Sequence, residues 1–152
     1  MPSVQRPAPA QPLPWVADAG PAVSAMSRTK GQQGEREIAA LLADLTGYTV
    51  KRRVRNHAGD SDLEGIPGWS VEVKRHKAAG RAEIAGWWRQ TCKQAITLLP
   101  VLFYRLDRDS WRAVWPVAVS LHVQQACQWS GYEWTVEGSP EAWAAVMRDT
   151  LT

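Results

Sequence analysis

Apolar residues recur at helical spacing across residues 30–46, where Ile38, Leu41, Leu42 and Leu45 form one stripe and Gly47 supplies the stop. The period then shortens to two. Tyr48, Val50 and Arg52 alternate with Thr49 and Lys51 across residues 48–54, a strand pattern, and residues 56–61 carry turn chemistry. Residues 62–64 predict a short strand, residues 65–68 a tight turn, and residues 69–75 a third strand with Trp69, Val71 and Val73 on one face. Helical spacing returns over residues 82–98, with Ile84, Trp88, Thr91, Cys92 and Ala95 on one side. Two apolar strands follow at 101–105 and 111–115, around a turn at 106–109. Beyond Pro116 the pattern predicts a helix near 119–128 and a strand near 132–137. Ser139, Pro140 and Glu141 then open a last helix with a capping hydroxyl, a proline at the first helical position and an acid in the first turn. The order αβββαββ, then a mixed C-terminal extension, predicts an α/β domain around a small mixed sheet flanked by helices.

The 152 residues suit one domain. Residues 1–26 hold six of the ten prolines and no apolar periodicity, so they read as a disordered Pro/Ala-rich tail. Pro7, Pro9, Pro12 and Pro14 interrupt any secretory apolar region. Met26 precedes the helix start directly, and a translation start there is one expectation. The expected organisation is therefore a tail at 1–26, a core at 27–116 and an extension at 117–152 packed on the core. A hydrophobic fraction of 45% and a charged fraction of 22% exclude collagen-like, coiled-coil and fully disordered classes. No run of ~18 apolar residues occurs, so no membrane partner is expected. Cys92 and Cys127 are too few for a disulfide framework and lack metal-ligand spacing, which fits a reducing cytoplasm.

The chemistry concentrates between Asp60 and Lys74. On a strand Glu72 and Lys74 share one face while Val71 and Val73 take the other. If the valines enter the core, the acid and the amine emerge together, and the turn at 65–68 can fold Asp62 back alongside Glu72. Carboxylates gathered so closely are costly unless a cation sits among them. Hard oxygen ligands select Mg²⁺, with Mn²⁺ as a substitute, and such an ion activates water and offsets charge developing at phosphorus. Lys74 beside it would position the nucleophile or stabilise the transition state. The reaction class implied is phosphodiester hydrolysis. Asp60 competes with Asp62, and Asp62 is preferred because Leu63 follows it as a strand residue. Glu35 and Glu37 border opposite edges of the apolar stripe of the first helix, and the helical wheel alone does not choose between them.

Lys30-Gly31-x-x-Gly34-Glu35-Arg36-Glu37 opening a helix, then Asp62, then Glu72-Val73-Lys74, resembles the PD-(D/E)XK nuclease superfamily. Within it the likeness is to archaeal Holliday-junction resolvases and phage resolvase-like endonucleases. It covers roughly residues 28–116, and Gln90 and the stretch 100–105 fit the phage-type pattern. The resemblance implies a restriction-endonuclease-like core. It implies that Glu35, Asp62, Glu72 and the Val73 backbone carbonyl bind the metal, with Glu35, Asp62, Glu72 and Lys74 catalytic. It thereby selects Glu35 over Glu37. Ser61 stands where the superfamily name has proline.

The net charge is only +3, but eight Lys or Arg residues fall between Lys51 and Arg81 against four acids. With a metal offsetting the acids, this segment becomes a basic footprint for a DNA backbone. Arg52, Arg53, Arg55, Arg75 and Lys77 are the expected DNA contacts there, with Lys30, Arg36 and Gln90 added by the family pattern. Most of the nine tryptophans are expected in core or interface, with some free to stack on bases. His57, His76 and His122 lack ligand spacing, and His76 falls on the Glu72 and Lys74 face. The resulting expectation is a cytoplasmic Mg²⁺-dependent endonuclease cutting branched or Holliday-junction DNA in phage recombination or repair. It would act as a homodimer, because two symmetric nicks need two centres, and without a small-molecule cofactor. The alternatives are a same-fold nuclease with restriction-like or flap substrates, and a DNA-binding module without catalysis.

Overall fold

The structure is a computed structural model that describes residues 21–54, 60–122 and 130–150. Arg55, His57, Cys127, Trp15, Trp129, most of the expected tail and much of the expected 119–128 helix lie outside the described residues.

Helix α1 (Pro21–Thr46) is followed by β1 (Lys51–Arg52), β2 (Leu63–Glu64), β3 (Trp69–His76), α2 (Arg81–Ala95), β4 (Leu99–Leu106), β5 (Arg112–Pro116), α3 (Val117–Ser120), a 3₁₀ turn (Tyr132–Trp134), β6 (Thr135–Gly138) and α4 (Pro140–Thr150). Among the described residues six strands form one sheet in chain order. Of these, β3 and β4 run parallel, with α2 as their crossover, and the other neighbouring pairs are antiparallel.

Strand alternation divides the core into two layers. Val71, Val73, Val101, Phe103, Ala113 and Trp115 face α1 and α4, meeting Ile38, Leu42, Trp143 and Met147. Leu102, Tyr104 and Val114 face α2, meeting Ile84 and Trp88. Helices α1 and α2 therefore turn the stripes their periodicity marks toward the sheet.

Boundaries differ from the expectations where local chemistry intervenes. Helix α1 begins at Pro21 rather than near residue 30, because a proline's fixed φ suits the first helical position. Strand β1 keeps two residues of the expected seven, since its partner β2 offers only Leu63 and Glu64 for pairing. Helix α2 stops at Ala95, where Ile96 turns to φ 50° and the Leu98 amide donates to the Ala95 carbonyl. The expected last helix forms as read, with the Ser139 hydroxyl accepting from the Ala142 amide at 3.2 Å.

Two glycines are fixed by close approach. A Cβ on Gly34 would come within 2.8 Å of the Arg75 Cβ, so the glycine lets α1 lie against β3. Gly65 has φ 115°, and a Cβ there would meet the Thr49 carbonyl oxygen at 2.1 Å. It seats the turn that returns β2 onto β3.

Candidate active site

The central observation is how Asp62 is held. Its amide donates to the Val71 carbonyl at 3.0 Å, and its carboxylate Oδ2 accepts from the Val73 amide at 2.8 Å. The Asp62 carbonyl accepts from the Arg53 amide at 2.9 Å. One aspartate is thus stapled to the backbone on both sides of Glu72. Leu63, the next residue, enters the α1 layer, so alternation sends Asp62 to the α2 side of the sheet, the side Glu72 and Lys74 also take. Both carboxyl residues are buried, Asp62 at 2% and Glu72 at 1% exposure. Lys74 Nζ stands 2.9 Å from Glu72 Oε1 and keeps partial contact with solvent.

Burying two acids is tolerable only with compensating charge and hydrogen bonds. Lys74 and the Val73 amide supply part of that compensation. The group lies at the middle of β3, with Glu72 paired to Leu102 and Lys74 to Tyr104 of the parallel neighbour β4. Asp60, by contrast, precedes the strand and is only half-buried.

Glu35 is elsewhere. Helix α1 covers the opposite layer, and the Glu35 carboxylate forms a hydrogen-bonded ion pair with Arg52 Nε on edge strand β1. Glu37 accepts from the Trp111 indole at 2.9 Å and from Arg105, tying α1 to the β4–β5 hairpin. Among the described residues no three His, Cys, Asp or Glu side chains stand together so as to hold a metal ion. Asp62 and Glu72 nevertheless fit one. Mg²⁺ takes one or two carboxylates and fills its remaining positions with water and substrate phosphate, and two adjoining buried carboxylates are that donor set.

The expected DNA contacts are scattered. Lys30 and Arg75 both bind Asp107 Oδ1, each at 2.7 Å, in a charged recess on the α1 side; these two cations hold the Asp107 carboxyl below its usual range. Arg53 reaches Glu64 at 3.5 Å. Arg36 and Lys77 are exposed, and Gln90 lines a cleft of about 670 Å³ on α2 with Arg89 and Lys93. His76, on the Lys74 face, stacks on Trp87 with ring centroids 4.6 Å apart. Burial, with Lys74 next in weight, lowers its pKa, Glu83 opposing. Burial pushes the Cys92 thiol up to about 11, which leaves it protonated.

Sequence reasoning missed Arg89, Lys93, Tyr104, Tyr132 and Glu137 as residues of the α2 side. Arg89 and Lys93 were readable as the polar face of an amphipathic helix. Tyr132 and Glu137 were not, because only the pairing of β6 with β5 brings them there.

A mixed sheet whose adjacent strands bring two buried carboxylates and a lysine to one spot is the framework of a PD-(D/E)XK nuclease. The family model described as "Phage putative PDDEXK endonuclease" matches residues 26–137, well over half of the chain, and the chain belongs to that family. No curated protein matches the sequence. Among solved structures, Archaeoglobus fulgidus Hjc, a Holliday junction resolvase from an archaeal hyperthermophile, is similar over 59% of this chain and 75% of its own, at 21% identity and a TM-score of 0.42.

Proposed function

We propose that this endonuclease-family protein hydrolyses phosphodiester bonds in branched DNA, Holliday junctions included, in a reaction that requires Mg²⁺ and accepts Mn²⁺. The observation that carries the reading is the stapling of Asp62 around Glu72 with Lys74 against it. Asp62, Glu72 and the Val73 carbonyl would hold the ion, which supplies Lewis-acid charge and activated water when bound. Asp62 is oriented in advance by the Val73 amide, so its carboxylate needs no reorganisation when substrate arrives. Lys74 offers its ammonium to the scissile phosphate or to the attacking water, and Glu72 fixes where that ammonium sits. Glu35 belongs to this assignment as a carboxylate whose charge Arg52 now engages. A DNA phosphate competing for Arg52 would free that carboxylate from its ion pair.

Arg52, Arg53, Arg55, Arg75, Lys77, Lys30 and Arg36 are the proposed backbone contacts, with Gln90 on α2. Lys30 and Arg75 must exchange Asp107 for phosphate to serve, which makes their share strongly salt-dependent. Two symmetric nicks in a junction call for a homodimer, and the setting is the cytoplasm of a phage-infected cell.

The test is cleavage of a labelled four-way junction and of the matching linear duplex with Mg²⁺. The junction is cut faster, a chelator stops the reaction, and Mn²⁺ restores it. Glu72→Gln lowers the rate roughly 10²–10³-fold while DNA binding persists. Equal cutting of both substrates would assign the fold to a different DNA target, and cleavage unaffected by Glu72→Gln would remove the site.

A further inference from the structure

Next to the carboxylate centre, on the same side of the sheet, lies a cleft of about 400 Å³ lined by Arg81, Ile84, Tyr104, Tyr132, Glu133, Thr135 and Glu137. Its volume falls within the ~300–1,000 Å³ range of small-molecule sites. Its position is fixed by register: Tyr104 on β4 is the direct parallel partner of Lys74 on β3, one strand spacing of ~4.8 Å away. The cleft therefore opens on the strand next to the one that carries Lys74, with the Tyr104 hydroxyl turned toward Glu137.

The lining decides what kind of group that is. Glu133 and Glu137 put carboxylates in the cleft, which repel a phosphate and accept hydrogen bonds from amino groups. Glu137 is held from both sides, taking the Tyr104 hydroxyl as donor and Arg112 Nη1 at 3.8 Å. Such a carboxylate still has accepting positions to offer. At the mouth, the Arg81 guanidinium lies over the Tyr132 ring, 5.9 Å from its centroid. Tyrosine rings and guanidinium planes are the surfaces on which unstacked bases rest. The Tyr132 ring with the Arg81 guanidinium for a flat ring, and carboxylates for an exocyclic amine, match a nucleobase bearing an amino group.

We propose that this cleft seats one unpaired base bearing an exocyclic amine, beside the scissile phosphate, so that the substrate is DNA with a nucleotide displaced from the stack. The inference rests on the nuclease reading above and sharpens it: a displaced nucleotide is available at a branch and absent from continuous duplex. Cytosine, adenine and guanine carry exocyclic amines that a carboxylate accepts, whereas thymine carries none. Thymine is accordingly the disfavoured occupant.

The experiment uses branched duplexes identical except for the single unpaired nucleotide at the branch: cytosine, adenine, thymine or an abasic sugar. The wild-type protein cleaves the cytosine and adenine substrates with kcat/KM about tenfold above the abasic one, within the range of a single base–aromatic stack. Tyr132→Ala brings that ratio to about one and Tyr132→Phe preserves it. Glu137→Gln removes the preference over thymine but keeps the difference from the abasic substrate. Wild-type protein that cuts all four substrates equally overturns the base subsite and leaves the nuclease reading standing. If none is cut, 2-aminopurine at the unpaired position is titrated with wild-type protein in chelator. Fluorescence quenching that Tyr132→Ala abolishes then supports the subsite without the nuclease, and unchanged fluorescence overturns it.

Discussion

Glu72 is where buried charge and the proposed chemistry meet. Its carboxylate is 1% exposed and lies 2.9 Å from the Lys74 ammonium. Removing one partner of a buried ion pair is costly, about 3–5 kcal/mol, because the remaining charge stays buried. Lys74→Met is therefore expected to lower stability by roughly that amount as well as to abolish cleavage. In the double variant Glu72→Gln, Lys74→Met the stranded charge is gone, so denaturant midpoints recover most of the loss while activity stays absent. A double variant no more stable than Lys74→Met alone would show that the pair does not carry this energy. At this scale the placement of these side chains in the candidate site was legible beforehand. Alternation put Glu72 and Lys74 on one face opposite the valines, and Leu63 separated Asp62 from Asp60. The engagement of Glu35 by Arg52 was not legible, because it depends on which residues of a long polar strand pattern pair with β2, and no local signal specifies that register.

Between elements, the contact that positions the centre is α1 against β3 at Gly34. In an isolated helix, Gly34→Ala would stabilise by up to ~1 kcal/mol. Here the added methyl meets the Arg75 Cβ at 2.8 Å, where side chain and backbone are too short to swing aside. The clash wins, and Gly34→Ala is expected to destabilise by about 1–3 kcal/mol in thermal unfolding. The glycine of the sequence motif is thus a packing requirement at some distance from the chemistry. The other element contact is pH-sensitive. His76 joins the end of β3 to α2 through its stack on Trp87, and burial lowers its pKa below 6.5 in the folded chain. A base whose folded pKa is depressed binds protons more readily unfolded, so stability is unaffected above pH 6.5 and declines as pH falls below that value through the folded pKa. His76→Phe should keep the stack and flatten this part of the stability–pH profile; an unchanged profile would detach His76 from it. Helix stripes, the Ser139 cap and the central strands were readable because each is specified within a few residues. The early start of α1 and the shortness of β1 were not, since the first depends on a proline inside an otherwise polar, Pro-rich run and the second on a partner strand of two residues.

At the scale of the whole chain, the C-terminal segment shares the core of the sheet rather than resting on it. Strand β6 completes the sheet beside β5, and α4 inserts Trp143, which is fully buried. Its ring meets Trp69 of β3 at 5.3 Å and Phe103 of β4 at 5.2 Å, both edge-on, the arrangement aromatic quadrupoles favour. Arg148 of α4 donates to the Leu45 carbonyl at the end of α1 at 2.7 Å, closing the layer on its other side. One tryptophan therefore bridges the parallel strand pair that carries Glu72 and Lys74. Trp143→Ala removes a fully buried tryptophan from that layer, and a cost of about 3–5 kcal/mol is expected, a fall in Tm of roughly 10 °C for a chain of this size. Because the cavity would open directly behind β3, the loss should appear as one cooperative transition followed equally by far-ultraviolet and near-ultraviolet circular dichroism. A chain ended at residue 116 should fail to fold at all, since it lacks both β6 and the ring that fills the layer. Two separate transitions in the intact protein, or a folded and DNA-cleaving chain of residues 21–116, would mean instead that the sheet from β1 to β5 stands without its C-terminal layer.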